Sequence, residues 1–504
     1  MSAWEEIVNA ALIGTERQQF TLPAQSAKLD ELLAQMQSES RERTLLSAAA
    51  ATTLYQRAGR LPQKAKQSLP EPCIEGDLPR CNARSAQPLS LMLAGEHKEV
   101  LPEWLAALAQ AGKRVPEDAL PKLLDLGKAQ EHWRDAIIAV IGNRGEWLAA
   151  QNPEWGYVVG TLDESLWETG SFEMRLALLK KLRASEPARA RELVASTWSA
   201  ESPDARAAFI AAFQIGLSLD DEPFLEAALD DRRKEVRRTA ADMLARLPES
   251  ALVKRMIERV QPLISFKRKL LGKDNIEITL PVACDKAMQR DGVEIKPPHK
   301  SVGEKAWWLQ QMLGAISPQF WCVEFNKTAL ELTAAAGNGN WRSILICGWA
   351  TATARYGDLL WSEILIEELL KNADFVSPEE LFILLPPEQR EMLALKTLNH
   401  NYSLHSLQPA NWMLKLCTHR WSEALSLEVL SSLSKCFKRR EPPELWGAGD
   451  VMNATAPYFN PNVSDKAAQI LTDSFRDDEY WSATIQRFLS TLQFRYDMLK
   501  EINA

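Results

Sequence analysis

Apolar residues recur at three- and four-residue steps along most of the chain, a spacing that places them on one face of an α-helix. Residues 1–60 show this spacing, for example at Leu29 and Leu33, and we predict N-terminal helices there. Five prolines interrupt a polar stretch at residues 61–89, which predicts a linker or an ordered loop. The helical spacing then continues through residues 90–261, so we expect a helical array over that range.

A repeat of 31 residues lies within residues 162–247 of this array. Three copies align in chemical type, and the turn before the second helix of each copy is followed by an acidic residue and an arginine. Two-helix repeats of this length are typical of an α-solenoid, because a lone pair of helices cannot bury both faces. The acidic-x-Arg pattern resembles the second helix of HEAT repeats. Residues at equivalent positions of the aligned copies are Trp167 and Trp198, then Glu173, Asp204 and Glu235, then Arg175, Arg206 and Arg237.

A second period appears in residues 303–504, where Trp-Ser dipeptides at Trp361, Trp421 and Trp481 are 60 residues apart. Each dipeptide begins an apolar run with helical spacing, and we interpret each unit as two helical pairs. Prolines and glycines interrupt the intervening residues 262–302, and an alternating stretch there predicts a short strand. The predicted fold is therefore all-α: a HEAT-like α-solenoid of antiparallel helix pairs in two arrays, with an irregular insert between them.

Charge and composition exclude several classes of protein. The chain has 504 residues, with 59 Lys and Arg against 67 Asp and Glu, and this balance argues against broad attraction to nucleic acid or anionic membranes. It contains no apolar run long enough for a membrane-spanning helix, and its first residues lack the basic region of a secretory signal. We therefore expect a cytoplasmic protein. Seven scattered cysteines do not form a disulfide framework.

Sequence signatures of catalysis are absent, since the chain has no G-x-x-x-x-G-K-[ST] loop, no G-x-S-x-G elbow and no H-E-x-x-H helix. His400, His405, Cys417 and His419 lie close in sequence, but their spacings do not match the paired ligands of zinc sites. We accordingly predict no catalytic residue, no cofactor and no metal. A third hypothesis is that the insert carries an unrecognised enzyme active site. Such a site would require a deep pocket that holds residues with perturbed pKa values.

The insert and the residues after it are the first candidate for partner binding, because solenoids bind through loops and concave faces and this segment is rich in charge. The alternative is an ordered insert that fills a groove or joins the two arrays. The candidate partner-binding residues are Cys284, Asp285, Lys286, Arg290, Asp291, Lys296, His299, Lys300, Trp307 and Trp308.

Two further basic features each allow two interpretations. Residues 232–238 are locally basic and could hold phosphates of nucleic acid, but acidic residues interleave with them, as on solvated helix faces. The equivalent arginines Arg175, Arg206 and Arg237, which we call the arginine column, could bind acidic partners. A structural ladder is the favoured alternative, in which each arginine pairs with the acid two residues before it or with a carbonyl of the adjacent repeat.

Four stretches carry a resemblance to a bacterial family of helical proteins of unknown function. They are AALIGTER at residues 10–17, RGEWLAAQNPEW at 144–155, ITLPVACDKAMQRDG at 278–292 and IKPPHKSVGEKAWWLQQML at 295–313. Genes of that family often neighbour those of a MoxR-type AAA ATPase, a von Willebrand factor A-domain protein and a SWIM zinc-finger protein. The resemblance implies a part in a chaperone-like or metal-linked assembly system, and it implies no known reaction.

The expected function is therefore a non-enzymatic scaffold or adaptor that presents a helical-repeat surface to other proteins. By resemblance, its partner would be the AAA ATPase or the A-domain protein. The alternative, of a different class, is a nucleic-acid-binding or base-modifying HEAT-like solenoid. Loss of duplex DNA binding with rising salt would distinguish the two, since phosphate contacts are salt-dependent.

Overall fold

The structure is a computed structural model. It describes residues 3–17, 27–36, 40–58, 70–74, 76, 78–159, 164–268, 274–298, 302–337, 340–371, 377–401, 404–405, 408–439, 442–474 and 479–503. Within these ranges the chain forms 28 α-helices and one two-stranded antiparallel sheet. The predicted all-α, solenoid-like fold is thus confirmed.

The chain divides into two compact units, Met1–Pro72 and Cys73–Ala504. The first unit contains three helices, whose buried side chains include Ile7, Leu29 and Ala48. Both Leu29 and Leu33 of the predicted helical spacing are buried in this small core. The helices are α1 (Ala3–Ile13), α2 (Ala27–Gln35) and α3 (Arg41–Ala58).

The second unit begins with five helices around their own hydrophobic cluster, which includes Trp104 and Ile137. Its first helix starts at Ala83 because the Asn82 side chain caps it, accepting a hydrogen bond from the Ser85 amide at 2.8 Å. The loop predicted for residues 61–89 therefore ends earlier than expected, while residues 61–69 lie outside the described residues. The helices are α4 (Ala83–Ala94), α5 (Leu101–Gln110), α6 (Leu120–Ala129), α7 (Arg134–Ala150) and α8 (Gly156–Val159).

The 31-residue repeat corresponds to three stacked helices, α10, α12 and α14, in the following series: α9 (Leu166–Thr169), α10 (Phe172–Ser185), α11 (Pro187–Thr197), α12 (Pro203–Ala212), α13 (Glu222–Ala228), α14 (Lys234–Leu244) and α15 (Ala251–Val260). The first residues of α10, α12 and α14 are Phe172, Pro203 and Lys234, which are 31 positions apart. Ser171 and Ser202 cap the first two of these helices through their side-chain oxygens.

The insert forms a short hairpin and one short helix. Strands β1 (Ile264–Lys267) and β2 (Asn275–Ile278) pair antiparallel, with Phe266 opposite Ile276. The alternating stretch at residues 276–280 predicted a strand, and β2 ends at Ile278. The helix is α16 (Lys286–Arg290).

Twelve helices follow among the described residues, and from α22 onward they alternate between two layers. One layer contains α22, α24, α26 and α28 in succession, and the other contains α23, α25 and α27. The period that begins at Trp361 holds four helices, α21 to α24, as the Trp-Ser spacing predicts. In the part of the chain that the structure describes, the period that begins at Trp421 holds three, α25 to α27, so the prediction of two helical pairs is wrong for that unit. The helices are α17 (Glu304–Leu313), α18 (Pro318–Phe325), α19 (Ala329–Gly337), α20 (Arg342–Tyr356), α21 (Leu359–Lys371), α22 (Glu379–Leu384), α23 (Pro387–Asn401), α24 (Pro409–Leu416), α25 (Glu423–Arg439), α26 (Pro442–Thr455), α27 (Ser464–Ser474) and α28 (Glu479–Asn503).

Helix α28 belongs to two hydrophobic clusters. Its first half buries Ile485 and Phe488 in the large cluster that extends from Trp167 through the C-terminal array. Its second half buries Met498 and Ile502 in the cluster of α4 to α8. This helix therefore connects the beginning of the second unit to its end. None of the described helices is long and apolar enough to cross a membrane.

Candidate functional site

Arg290, at the end of α16, attaches the insert to the repeat array. Its Nε atom lies 2.7 Å from Asp230 Oδ1, and its Nη1 atom lies 3.2 Å from Glu226 Oε2. The hydrogen bonds from Arg290 hold the pKa of the Asp230 carboxyl below its usual range. This predicted partner-binding residue is thus engaged within the chain.

Asp291 makes a second attachment, to α15. Its carboxylate is buried, with Oδ1 at 2.7 Å from Arg255 Nη2 and Oδ2 at 2.7 Å from Arg259 Nη1. A buried carboxylate is stable only when it is paired and hydrogen-bonded, and two guanidinium groups satisfy that condition here. The hydrogen bonds with Asp291 raise the pKa of Arg255 above its ordinary value. Asp291 is therefore a structural anchor of the insert.

Beyond α16 the insert runs along α17 and is held through its backbone. The Gln311 side chain accepts a hydrogen bond from the Glu294 amide at 2.8 Å and donates one to the Glu294 carbonyl at 3.0 Å. The Trp308 indole donates to the Ile295 carbonyl at 2.9 Å. These contacts of α17 with residues 294 and 295 use main-chain groups, whereas Val293 is held by burial of its side chain.

A cleft of about 680 Å³ lies beside this segment, between the repeat array and the start of the C-terminal array. Small residues line it, including Ala211, Ala241 and Ala315. Gly292 has φ 88°, and a Cβ atom there would lie 2.6 Å from the Ala241 Cβ. The insert can therefore pack this closely against α14, as one wall of the cleft, only with a glycine at this position. The lining also includes hydrogen-bonding side chains, namely Gln214, Thr239, Gln310, Gln311 and Thr351.

Asp242 connects the two arrays inside the cleft. Its Oδ1 atom lies 3.0 Å from Arg355 Nε of α20, and its Oδ2 atom lies 3.1 Å from Arg246 Nη2. Arg355 also donates to the Gly314 carbonyl at 2.5 Å. The cleft lining as a whole is balanced in charge, with three arginines (Arg238, Arg246 and Arg355) and three carboxylates (Asp242, Asp291 and Glu294).

A smaller cavity of about 350 Å³ shares Arg238 and Glu294 with the cleft, and we call it the basic mouth. It is lined by four cationic side chains against the single carboxylate of Glu294. Lys234 pairs with Glu294 at 3.2 Å, which neutralises part of this charge. The four cationic residues are Lys234, Arg237, Arg238 and Lys296.

The remaining predicted partner-binding residues have different environments. Asp285 caps α16, since its side chain accepts a hydrogen bond from the Met288 amide at 2.7 Å. Cys284 is half-buried, and burial raises the pKa of its thiol. Lys286 and Lys296 are exposed, whereas Trp307 is half-buried and lines the cleft and Trp308 is buried. His299 and Lys300 lie outside the described residues.

The arginine column forms ion pairs between successive repeats. Arg175 pairs with Glu201 and lies over the Trp167 ring, with 4.6 Å between the guanidinium carbon and the ring centroid. Arg206 repeats this arrangement with Asp231, at 3.1 Å, and with Trp198.

The structural ladder was predicted with two alternative partners, and the first of them, the acid two residues before each arginine, is not the partner of Arg175 or Arg206. Residues two apart within a helix do not face each other, so Glu173 does not reach Arg175. Glu173 instead accepts a hydrogen bond from Ser171, the capping residue that precedes the helix. Glu235 pairs with Arg238 at 2.8 Å, and Asp204 lies in the first turn of α12. The Arg206 and Arg237 guanidinium groups also donate to turn carbonyls, those of Glu201 and Asp231.

The histidines and cysteines do not assemble into a metal site among the described residues. His419 Nε2 lies 3.0 Å from Glu391 Oε1, and that carboxylate also accepts from the Ser422 amide. Burial raises the pKa of the Cys417 thiol to about 12, so this cysteine remains protonated at neutral pH. All seven cysteines are free thiols.

Sequence reasoning missed most of the cleft. Arg238, Asp242 and Arg246 follow each other at four-residue steps, so they share one face from α14 into the following turn. That polar stripe was a detectable signal, but nothing local indicated that Arg355, 113 residues further on, would contact it. Nothing in the sequence indicated that the Gln311 side chain would bind the main chain of Glu294 either.

The fold and the cleft define a helical-repeat protein with an insert held against its own repeats. The chain belongs to DUF5691, a family of unknown function, whose model matches residues 6–502. No curated protein and no solved structure was found to match the chain. The predicted resemblance to a family of unknown function is thereby confirmed.

Proposed function

We propose that the protein is a non-enzymatic cytoplasmic adaptor that binds an extended, acidic segment of a partner protein in the cleft and its basic mouth. The observation that carries the proposal is the way α17 holds the insert. Gln311 and Trp308 bind the main chain of residues 294 and 295 as a peptide-binding surface would. An extended segment of the partner, bound in the cleft beside residues 294 and 295, would contact Gln310, Gln214 and Thr239.

The charge of the site supports an acidic ligand. Four cations line the basic mouth, although the whole chain has a formal charge of −8. Lys234 pairs with Glu294 and Arg238 with Glu235, which leaves two of the four charges for a ligand. Complementary charge steers association and rejects like-charged partners. By the family resemblance, we propose that the partner is the MoxR-type AAA ATPase or the A-domain protein.

The proposal is tested by capturing partners from cells of origin with the wild-type chain and with the double charge reversal Arg238→Glu and Lys296→Glu. Arg238 is 60% exposed and Lys296 is also exposed, so both substitutions are compatible with folding. The matched control is Lys396→Glu with Lys466→Glu, at comparably exposed positions outside the cleft. We expect an ATPase or A-domain protein to be captured by the wild type and the control and lost from the cleft variant.

A photocrosslinking residue at Gln310 then locates the bound segment, and crosslinks to an acidic stretch are expected. Equal capture by the cleft variant and the control would exclude the cleft as the binding site. Salt-sensitive binding of duplex DNA that disappears in the cleft variant would instead support the nucleic-acid alternative.

A further inference from the structure

Three arginines, Arg80, Arg114 and Arg144, line a separate cavity of about 220 Å³ near the start of the second unit, and all three pair with the Glu117 carboxylate. Arg114 Nη1 lies 2.8 Å and Arg144 Nη1 lies 3.4 Å from Glu117 Oε1, while Arg80 Nε lies 3.1 Å from Oε2. Within this cluster three positive charges face one negative charge. We call these four residues the arginine cluster.

The backbone fixes the position of the first two arginines. The Cys81 amide donates to the Arg114 carbonyl at 2.9 Å, and the Arg114 amide donates to the Pro79 carbonyl at 2.8 Å. The segments that carry Arg80 and Arg114 therefore run side by side, as in a small β-bridge. This pairing brings both residues to the lining of the cavity.

A kink in α7 supplies the third arginine. Gly142 has φ 58° and ψ −176°, values outside the helical range, and helical geometry resumes in the residues that follow. A Cβ atom at Gly142 would lie 3.3 Å from the Arg114 Cδ atom, so the glycine lets the two segments approach. Arg144, two residues after the kink, contacts Oε1 of Glu117, whereas Arg80 contacts Oε2.

The chemistry of the cluster favours a small anion with several oxygens. Each guanidinium is a planar fork of donors, and Glu117 can neutralise only one of the three. Two positive charges therefore remain, which matches a dianion. The volume of the cavity is below the roughly 300 Å³ at which pockets for larger ligands begin.

We propose that the arginine cluster binds a phosphoryl group. Three arginines can each donate to a different oxygen of a tetrahedral phosphate, whereas a carboxylate offers only two oxygens in one plane. The group belongs either to free phosphate or pyrophosphate or to a phosphorylated side chain of another protein. Glu117 orients the guanidinium groups and sets how strongly the anion binds.

The test is isothermal titration calorimetry of the full chain at low ionic strength with pyrophosphate, a phosphoserine peptide, the same peptide unphosphorylated, and succinate. We expect saturable binding of a phosphoryl compound at one site. Arg144→Gln should weaken it about tenfold, the effect of one charge-assisted hydrogen bond, and Glu117→Gln should strengthen it by removing the competing carboxylate. Preference for pyrophosphate or for the phosphopeptide identifies the source of the group.

The control is Arg189→Gln, because the Arg189 and Arg144 side chains are both 43% exposed and Arg189 pairs with two acids far from the cluster. If thermal melting shows that Arg144→Gln unfolds, Arg80→Gln replaces it, since Arg80 is 55% exposed. The proposal is overturned if no phosphoryl compound binds saturably, if the cluster variants bind as Arg189→Gln does, or if succinate binds as tightly as pyrophosphate.

Discussion

Arg495 and Glu103 form a two-point ion pair across 392 residues of sequence, with Nε–Oε2 at 2.6 Å and Nη2–Oε1 at 2.9 Å. Arg495 is fully buried in α28, and its Nη1 atom donates to the carbonyls of Ala456 and Phe459 at 2.8 and 2.6 Å. One guanidinium group thus joins α5, α28 and the turn after α26. It lies where α28 passes from the large hydrophobic cluster to the cluster of α4 to α8.

Replacing Arg495 by methionine should lower the free energy of unfolding by about 3–5 kcal/mol, because Glu103 and two carbonyls would lose their buried partner. Urea unfolding followed by circular dichroism measures the change. Arg487→Met is the control, since Arg487 lies exposed on the same helix and its replacement should change stability by less than about 0.5 kcal/mol. Equal effects of the two substitutions would contradict the role assigned to Arg495.

Asp221 should make stability depend on pH. Burial raises the pKa of its carboxyl, but the hydrogen bonds from Arg183 and Arg191 outweigh burial and hold the pKa below the ordinary 3.8. A lowered pKa contributes stability above pH 3.8, and this contribution is lost as pH falls toward the folded-state pKa. Asp221→Asn should therefore cost about 3–5 kcal/mol at pH 7 and less at pH 3.

Urea unfolding of the wild type and of Asp221→Asn at pH 7, 5 and 3 tests this expectation. The neighbouring Asp220 is exposed, and Asp220→Asn should have little effect at any of these pH values. A difference between wild type and Asp221→Asn that is the same at pH 3 and pH 7 would show that the charge of Asp221 is not responsible.

Gly292→Ala should loosen the insert. The residue has φ 88°, and the added Cβ atom would meet the Ala241 Cβ at 2.6 Å, so we expect a loss of about 1–3 kcal/mol. Hydrogen exchange should increase in residues 286–296, whose contacts hold the wall of the cleft. Gly303→Ala is the matched control, because φ is −70° there and no atom lies within 4 Å of the added Cβ. Similar exchange in both variants would argue against close packing at Gly292.

Trp361→Ala should destabilise the C-terminal array by about 3–5 kcal/mol, since the indole is fully buried and its removal leaves a large cavity. Trp446 is 72% exposed, and Trp446→Ala should change stability by less than about 0.5 kcal/mol. Guanidinium unfolding of both variants measures the difference. A large loss of stability for Trp446→Ala would show that this indole is covered in solution.

The sequence was most informative where structure is local. The 31-residue spacing located α10, α12 and α14 because each copy buries residues at the same positions, and serine caps begin the first two of these helices. Trp361 and Trp421 were recognised by their 60-residue spacing, and both are buried. The arginine column was visible as well, but its partners were not, since Glu201 and Asp231 lie in the next turn of the stack.

The contacts that define the candidate sites have no local signal. Asp242 meets Arg355, and Arg495 meets Glu103, only after distant helices have packed. The arginine cluster also combines segments around residues 80, 114 and 144, each unremarkable in sequence by itself. Periodicity identifies which residues face a neighbour, whereas the identity of that neighbour depends on the tertiary arrangement.

The double membership of α28 limits how the protein can change in evolution. An open solenoid can gain or lose a helical pair with little consequence elsewhere, because each repeat contacts only its neighbours. Here the chain leaves the cluster of α4 to α8 after Val159 and returns to it through Met498 and Ile502. Inserting or deleting one pair between these points would move the second half of α28 away from its partners. The packing of α28 on the cluster of α4 to α8 therefore constrains the number of helices in the second unit.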